Sequence, residues 1–275
     1  MTGRYLTAAM LRNIEARCTA QDWAVIQQVS NLRFVNGSQL TRLCFMDSNN
    51  LAANGRSARR ALLRLVRLEV LARLPRPVGG VRSGSAGFVY YLGVAGQRLA
   101  TARGWQPERR RRRSQSPGSL FLGHTLQVAE LHTLLIEADR SRRFELLELA
   151  GEPACWRSYK AANGQRCTLK PDSYARLGIG AWEHSLWFEV DRGTEGSRAL
   201  DSQLRRYVAY HASGSEQTER GVFPKTLWLT NTPERVGVIE GCVNRLPMQA
   251  QELFQVASFD DALNLITATE PTGQH

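Results

Sequence analysis

Apolar residues recur at helical spacing through the first half of the chain. In the second half they fall largely into short extended runs. AQDWAVIQQVSNL (20–32) places Ala24, Val25, Gln28 and Val29 at helical intervals, with Asp22 near the start. After Asn36-Gly37, SQLTRLCF (38–45) predicts a second helix capped by Ser38, and RSARRALLRLVRLEVLARL (56–74) a long third one capped by Ser57. ARLPRPVGGVRSGSAGFVYYLG then reads as strand, Gly/Pro-rich turn and strand, and VAGQRLATARG (94–104) as a closing helix. From His124 the predicted order is a helix (124–141), strands at 144–150, 168–177 and 184–192, a helix (197–212) and a strand (223–230). A helix (234–246), a strand (253–259) and a helix (260–266) complete it.

Helices feeding a strand–turn–strand unit, from Thr19 to Gly104, have the order of a winged helix-turn-helix. Helix, three strands, helix, strand predicts an α/β core around a mixed sheet over 124–268. The expected fold class is thus α+β, with two domains (19–104 and 124–268) joined by a linker at 105–123. Residues 269–275 are expected to form a disordered tail. A length of 275 residues with 43% hydrophobic content suffices for a core in each domain.

Charge sharpens this division. Residues 1–123 carry 20 Arg, no Lys and 5 acids, a balance of +15, whereas residues 124–275 sum to −4. The whole-chain +11 therefore comes from one strongly basic half, which points to a polyanion partner and to double-stranded DNA before a membrane. Only Lys160, Lys170 and Lys225 are lysines, so a general preference for arginine contributes, but it does not explain the asymmetry. On the third predicted helix, Arg56, Arg60, Arg64 and Arg67 fall within about 80° of one another at 100° per residue, with Arg59 beside them. Ala58, Ala61, Leu62, Leu65 and Leu68 take the other side, and Leu63 is the one apolar residue on the arginine side. Such a face suits the major groove. Arg82 in the wing and the run Arg109, Arg110, Arg111, Arg112 and Arg113 in the linker are further candidate phosphate contacts.

The five cysteines are odd in number and never spaced CxxC, which fits a reduced, cytoplasmic setting and argues against structural zinc. No apolar run is long enough for a transmembrane helix, and the N-terminal segment lacks a signal-peptide pattern. The histidines never form His-x-His, so a tyrosine-nucleophile mechanism using Tyr207 or Tyr210 lacks its usual metal partners. No phosphate-binding GK[ST] follows Gly178 and Gly180.

The acids of the second half form a pattern of their own. GIGA (178–181) is a natural turn, and centring it near Gly180 sets Asp172 opposite Glu189 and Lys170 opposite Asp191. Side chains two apart share a strand face, so the four groups are expected to cluster, with a cation such as Mg²⁺ or a nearby basic residue relieving the repulsion.

The pair PD (171–172) with EVD (189–191) resembles the PD-(D/E)XK nuclease-like fold. The first-half elements together with EVDRGTE (189–195) and LRRYVAYH (204–211) resemble the replication-relaxation family of plasmid and mobile-element proteins, from about Thr19 to Leu265. That resemblance implies a DNA-binding protein acting in plasmid replication, DNA relaxation or mobilisation, with replication or conjugation proteins as partners. A homodimer fits, because winged-helix proteins often bind paired half-sites. In active nucleases of the wider fold the corresponding acids hold the metal. This implies Asp172, Glu189 and, from the first helix, Glu130 as Mg²⁺ ligands. The usual lysine two residues after the later acid is Asp191 here, which leaves Lys170 as the nearest substitute. Arg192 and Glu195, in the loop after the strand, either contact DNA or organise the acids, or form a surface ion pair. The alternative functions are a Mg²⁺-dependent endonuclease and a winged-helix transcriptional regulator with a dimerising or sensing second domain.

Overall fold

The computed structural model describes residues 6–46, 50–74, 87–105, 117–161 and 163–268. Arg82, Arg109–Arg113, the turn of the expected wing and the expected tail at 269–275 lie outside the described residues. Two compact units divide the chain, residues 1–133 and residues 134–275.

The first unit opens with helices α1 (Ala8–Ala16) and α2 (Ala20–Leu32). Thr19 and Asp22 form a reciprocal capping box at the start of α2, satisfying two otherwise orphaned backbone donors. The short strand β1 (Val35–Asn36) runs directly into α3 (Gly37–Cys44). The cap of α3 is Asn36, with Gln39 closing a capping box, where the sequence suggested Ser38. Helix α4 (Leu51–Arg67) starts five residues before the predicted Arg56, because Asn50 accepts from the Ala53 N–H and the intervening residues continue the helix. Its end also comes earlier than the predicted 74. Glu69 takes a left-handed φ of 56°, and Val70 and Glu69 donate to the carbonyls of Leu65 and Val66, a Schellman stop. The chain then turns into β2 (Leu71–Arg73), which pairs antiparallel with β3 (Val89–Leu92). β1 pairs on the other side of β3, giving the order β1-β3-β2.

Helix α5 (Val94–Ala102) follows. Its close approach to the corner after α4 requires glycine. A Cβ on Gly93 would lie 2.3 Å from the Glu69 carbonyl oxygen, and one on Gly96 would lie 2.1 Å from that of Val70. Val25, Ile26, Val29, Leu40, Leu62, Leu65, Leu71 and Leu99 are all sealed in the core of this unit. Helix α6 (Ser119–Arg140) carries the division between the units within it.

The second unit is a five-stranded mixed sheet in the order β10-β9-β8-β7-β4. Its strands are β4 (Glu145–Gly151), β7 (Ser173–Ile179), β8 (Trp182–Val190), β9 (Lys225–Thr230) and β10 (Phe254–Ser258). β4, β7 and β8 pair antiparallel, whereas β8, β9 and β10 run parallel. The parallel steps need crossovers, supplied by α7 (Ser197–Ala212) with the short α8 (Ser215–Arg220), and by α9 (Pro233–Val243) with α10 (Met248–Gln251). Helix α11 (Ala262–Ala268) ends the described chain.

One predicted strand, 168–177, is in fact two. β6 (Arg166–Leu169) pairs with β5 (Arg157–Lys160) in a separate hairpin, and β7 begins only at Ser173. Lys170, Pro171 and Asp172 are the junction between the two sheets.

Strand β8 explains the continuous apolar run that marks it in the sequence. Leu186 through Val190 are all buried, as expected of a central strand covered on both faces. Trp187 packs against Tyr207, Tyr210 and Phe223 at ring-centroid distances of 5.7, 5.8 and 5.0 Å. Leu200, Leu204, Trp228, Ile239 and Phe254 fill the rest of that core.

Candidate functional site

Two groups of charged residues carry the candidate chemistry, one in each unit. On α4 the apolar side is sequestered: Ala58, Leu62 and Leu65 are buried, while Arg56, Arg59, Arg60 and Arg67 are exposed. Arg59 donates from Nε to the Gly55 carbonyl of its own helix. Arg56, Arg60 and Arg67 have no ion-pair partner among the described residues.

Arg64, expected on the DNA-facing side, is engaged internally. Its guanidinium lies 2.6 Å from both carboxylate oxygens of Asp22 and donates to the Arg17 carbonyl. Asp22 is 1% exposed and already holds the Thr19 N–H, so Arg64 neutralises a buried charge and ties α4 to the start of α2. The partners are 42 residues apart, so helical periodicity could assign Arg64 only to a face, not to Asp22.

In the second unit the β7–β8 register follows the turn at Gly180, whose φ is +59°. Ser173 pairs with Phe188 and Ile179 with Trp182. Extended by one residue, this register sets Asp172 opposite Glu189. The Asp172 N–H donates to the Phe188 carbonyl, and its Oδ2 accepts from the Val190 N–H at 2.8 Å. Cys155 donates to the Pro171 carbonyl, holding the junction from below. Both acids are nearly sealed, at 8% and 4% exposed. Glu189 accepts from the Tyr207 hydroxyl at 2.5 Å. Burial, and then the charge of Asp172, push the Glu189 carboxyl well above the usual carboxylate range, while hydrogen bonds from Tyr207 and Gln203 and the charge of Arg206 oppose this.

Lys170 does not complete the expected cluster. Its Nζ sits 4.7 Å from the centroid of the Trp156 ring, because residues 170–172 leave one sheet for another and do not continue the β7 pleat. Asp191 is held by Arg235 of α9, with Nε to Oδ1 at 2.7 Å and the second guanidinium nitrogen to Oδ2 at 2.8 Å. The same nitrogen also donates to the Glu195 carbonyl, and the Gly193 N–H donates to Asp191 Oδ1. Asp191 and Arg235 thus fasten the loop of residues 191–195. Arg192 and Glu195 are exposed on that loop. Arg235 was not singled out in the sequence, and a lone arginine at the start of a helix gives no signal of it.

Glu130 meets Arg42 at 2.5 Å and Gln39 at 2.9 Å, so its carboxylate is committed within the first unit. Among the described residues, no three His, Cys, Asp or Glu side chains are grouped so as to hold a metal ion. A Mg²⁺ ion takes anionic oxygens and water in octahedral geometry. Here Glu130 is tied to Arg42, Asp172 to the Val190 N–H and Glu189 to a tyrosine hydroxyl, so the expected ligand set does not fit that ion. Tyr207 and Tyr210 are likewise not placed as nucleophiles. Both are buried, they donate to Glu189 and Glu216, and burial raises both phenols above their ordinary value.

Fold and charged groups together define a two-unit α+β protein: an arginine-faced helix beside a small three-stranded sheet, and a five-stranded mixed sheet with a buried acid pair at the end of β8. The chain belongs to the replication-relaxation family, whose model matches residues 26–226, almost three quarters of its length. Membership associates it with replication or relaxation of plasmids and mobile elements. No curated protein and no solved structure matches it. Among the described residues, no helix is long and apolar enough to cross a membrane.

Proposed function

We propose that the protein binds double-stranded DNA through a winged helix formed by α2, α3, α4 and the β2–β3 pair, with α4 entering the major groove. The observation that carries this reading is the row of Arg56, Arg60 and Arg67, exposed on the face of α4 opposite its core and without an acid partner among the described residues. Unpaired guanidiniums on one helix face gain by displacing the counterions of a phosphate backbone. The half-chain balance of +15 supports the same partner. Arg82 and Arg109–Arg113 add candidate phosphate contacts by sequence alone. Replication or conjugation proteins would then be recruited to the bound site.

The acid pair is read as structural. Asp172 and Glu189 hold the junction before β7 against β8 and α7, and Asp191 with Arg235 shapes the loop that follows. A Mg²⁺-dependent endonuclease would need Glu130, Asp172 and Glu189 as ligands, which here serve Arg42, the Val190 N–H and Tyr207.

Fluorescence anisotropy of the full chain on a labelled duplex, across a salt series, tests the binding reading. Affinity that falls steeply with salt is expected; no binding at low salt would overturn it. Incubating supercoiled plasmid with Mg²⁺ or Mn²⁺ tests the structural reading of the acids. No nicking is expected, and nicking lost on Asp172→Ala plus Glu189→Ala would establish the enzyme instead.

A further inference from the structure

The arginine face of α4 has one apolar member. At 100° per residue, Arg56, Arg60, Leu63 and Arg67 lie within about 60° of one another, a single line along roughly 16 Å of helix. Leu63 is 44% exposed, whereas Leu62 and Leu65 on either side of it are 2% and 0% exposed. An exposed leucine alone needs no explanation. This one stands between Arg60 and Arg67 on the line whose charge selects a polyanion, where an added arginine or a polar residue would serve phosphate binding better. In a major groove each base pair offers hydrogen-bonding groups, and thymine alone among the four bases also offers a methyl group, the natural partner for an apolar side chain.

Resting on the DNA-binding reading above, we infer that Leu63 is a specificity-determining residue that contacts the C5 methyl of a thymine, while Arg56, Arg60 and Arg67 hold α4 in the groove around it. Affinity then comes mainly from the arginines, and preference for a T·A pair at one position comes from Leu63. Leu63→Ala keeps a strong helix former at an exposed position, so the fold is preserved while the contact is lost.

The experiment selects duplexes from a random-sequence pool with the full chain, then replaces each enriched thymine with uracil, which removes only the methyl group. One T·A position is expected to be enriched, and uracil there should weaken the wild-type chain about fourfold, the scale of one buried methyl-sized group. Leu63→Ala should bind the parent duplex about fourfold more weakly and be indifferent to the uracil. Absence of any enriched thymine, or an equal uracil penalty in both chains, overturns the assignment while leaving DNA binding intact. Retention of no duplex at low salt overturns the DNA-binding reading itself, and is seen before any uracil is introduced.

Discussion

In the first unit three arginines of α4 stand in solvent with no ion-pair partner among the described residues, whereas Asp172, Glu189, Asp191 and Glu216 of the second unit are sealed and engaged. Asp172 accepts a backbone N–H, Glu189 a tyrosine hydroxyl, and Asp191 the fork of Arg235. Glu216, fully buried, holds Arg157 and Tyr210. Water solvates an exposed charge until a partner of opposite sign displaces ions from around it, so such a charge is available for binding. A buried charge must be satisfied on folding, so its partner is already in the chain. Arg64 shows that the contrast follows burial and pairing rather than residue type. It belongs by sequence to the arginine face, but its partner Asp22 draws it into the structure.

The largest effect should come from the exposed set. Replacing Arg56, Arg60 and Arg67 together by alanine should weaken duplex binding by at least about 100-fold near physiological salt, and should reduce the salt slope by about 3. Thermal stability should be nearly unchanged. Anisotropy and melting curves measure both, and a matching loss of stability would erase the distinction between the two kinds of charge.

Arg235→Ala comes next. It leaves Asp191 buried without its cation and should cost about 3 kcal/mol of stability in urea unfolding, with little direct effect on DNA affinity. Arg64→Ala should cost about 1–2 kcal/mol, smaller because the Arg64 side chain is 40% exposed, and should weaken DNA binding less than Arg60→Ala. A larger binding defect from Arg64→Ala than from Arg60→Ala would return Arg64 to the DNA face.

Glu189→Gln should have the smallest effect and the most telling pH dependence. Burial raises this carboxyl, so between the unfolded and folded pKa values the folded chain holds a proton that the unfolded chain has released. The stability this group contributes is fully present below the unfolded value near 4.3 and is lost as pH rises toward the folded value. Glutamine keeps an acceptor for Tyr207 without the charge. The variant should therefore melt higher than wild type at pH 8, with the gap closing toward pH 4. An unchanged gap across that range would mean that Glu189 binds its proton equally in the folded and unfolded chains, so that burial does not raise it.

Much of this architecture was legible in residue order. Helical spacing located α2, α4 and α7, the turn at Gly180 set the β7–β8 register, and strand alternation then brought Asp172 opposite Glu189. These features depend on neighbours within about twenty residues, where periodicity and turn chemistry act directly. The motif residues around Glu189 were sufficient to indicate the family.

Tertiary structure alone decided which charges stay free. Asp22 and Arg64, Asp191 and Arg235, and Glu130 and Arg42 are separated by 42, 44 and 88 residues. No local pattern distinguishes an arginine that will neutralise a buried acid from one that will face solvent, because the choice depends on which distant element folds against it. The break of the predicted 168–177 strand into β6 and β7 has the same origin. A chain that leaves one sheet for another looks extended throughout, and only the partners on each side reveal where it changes sheets.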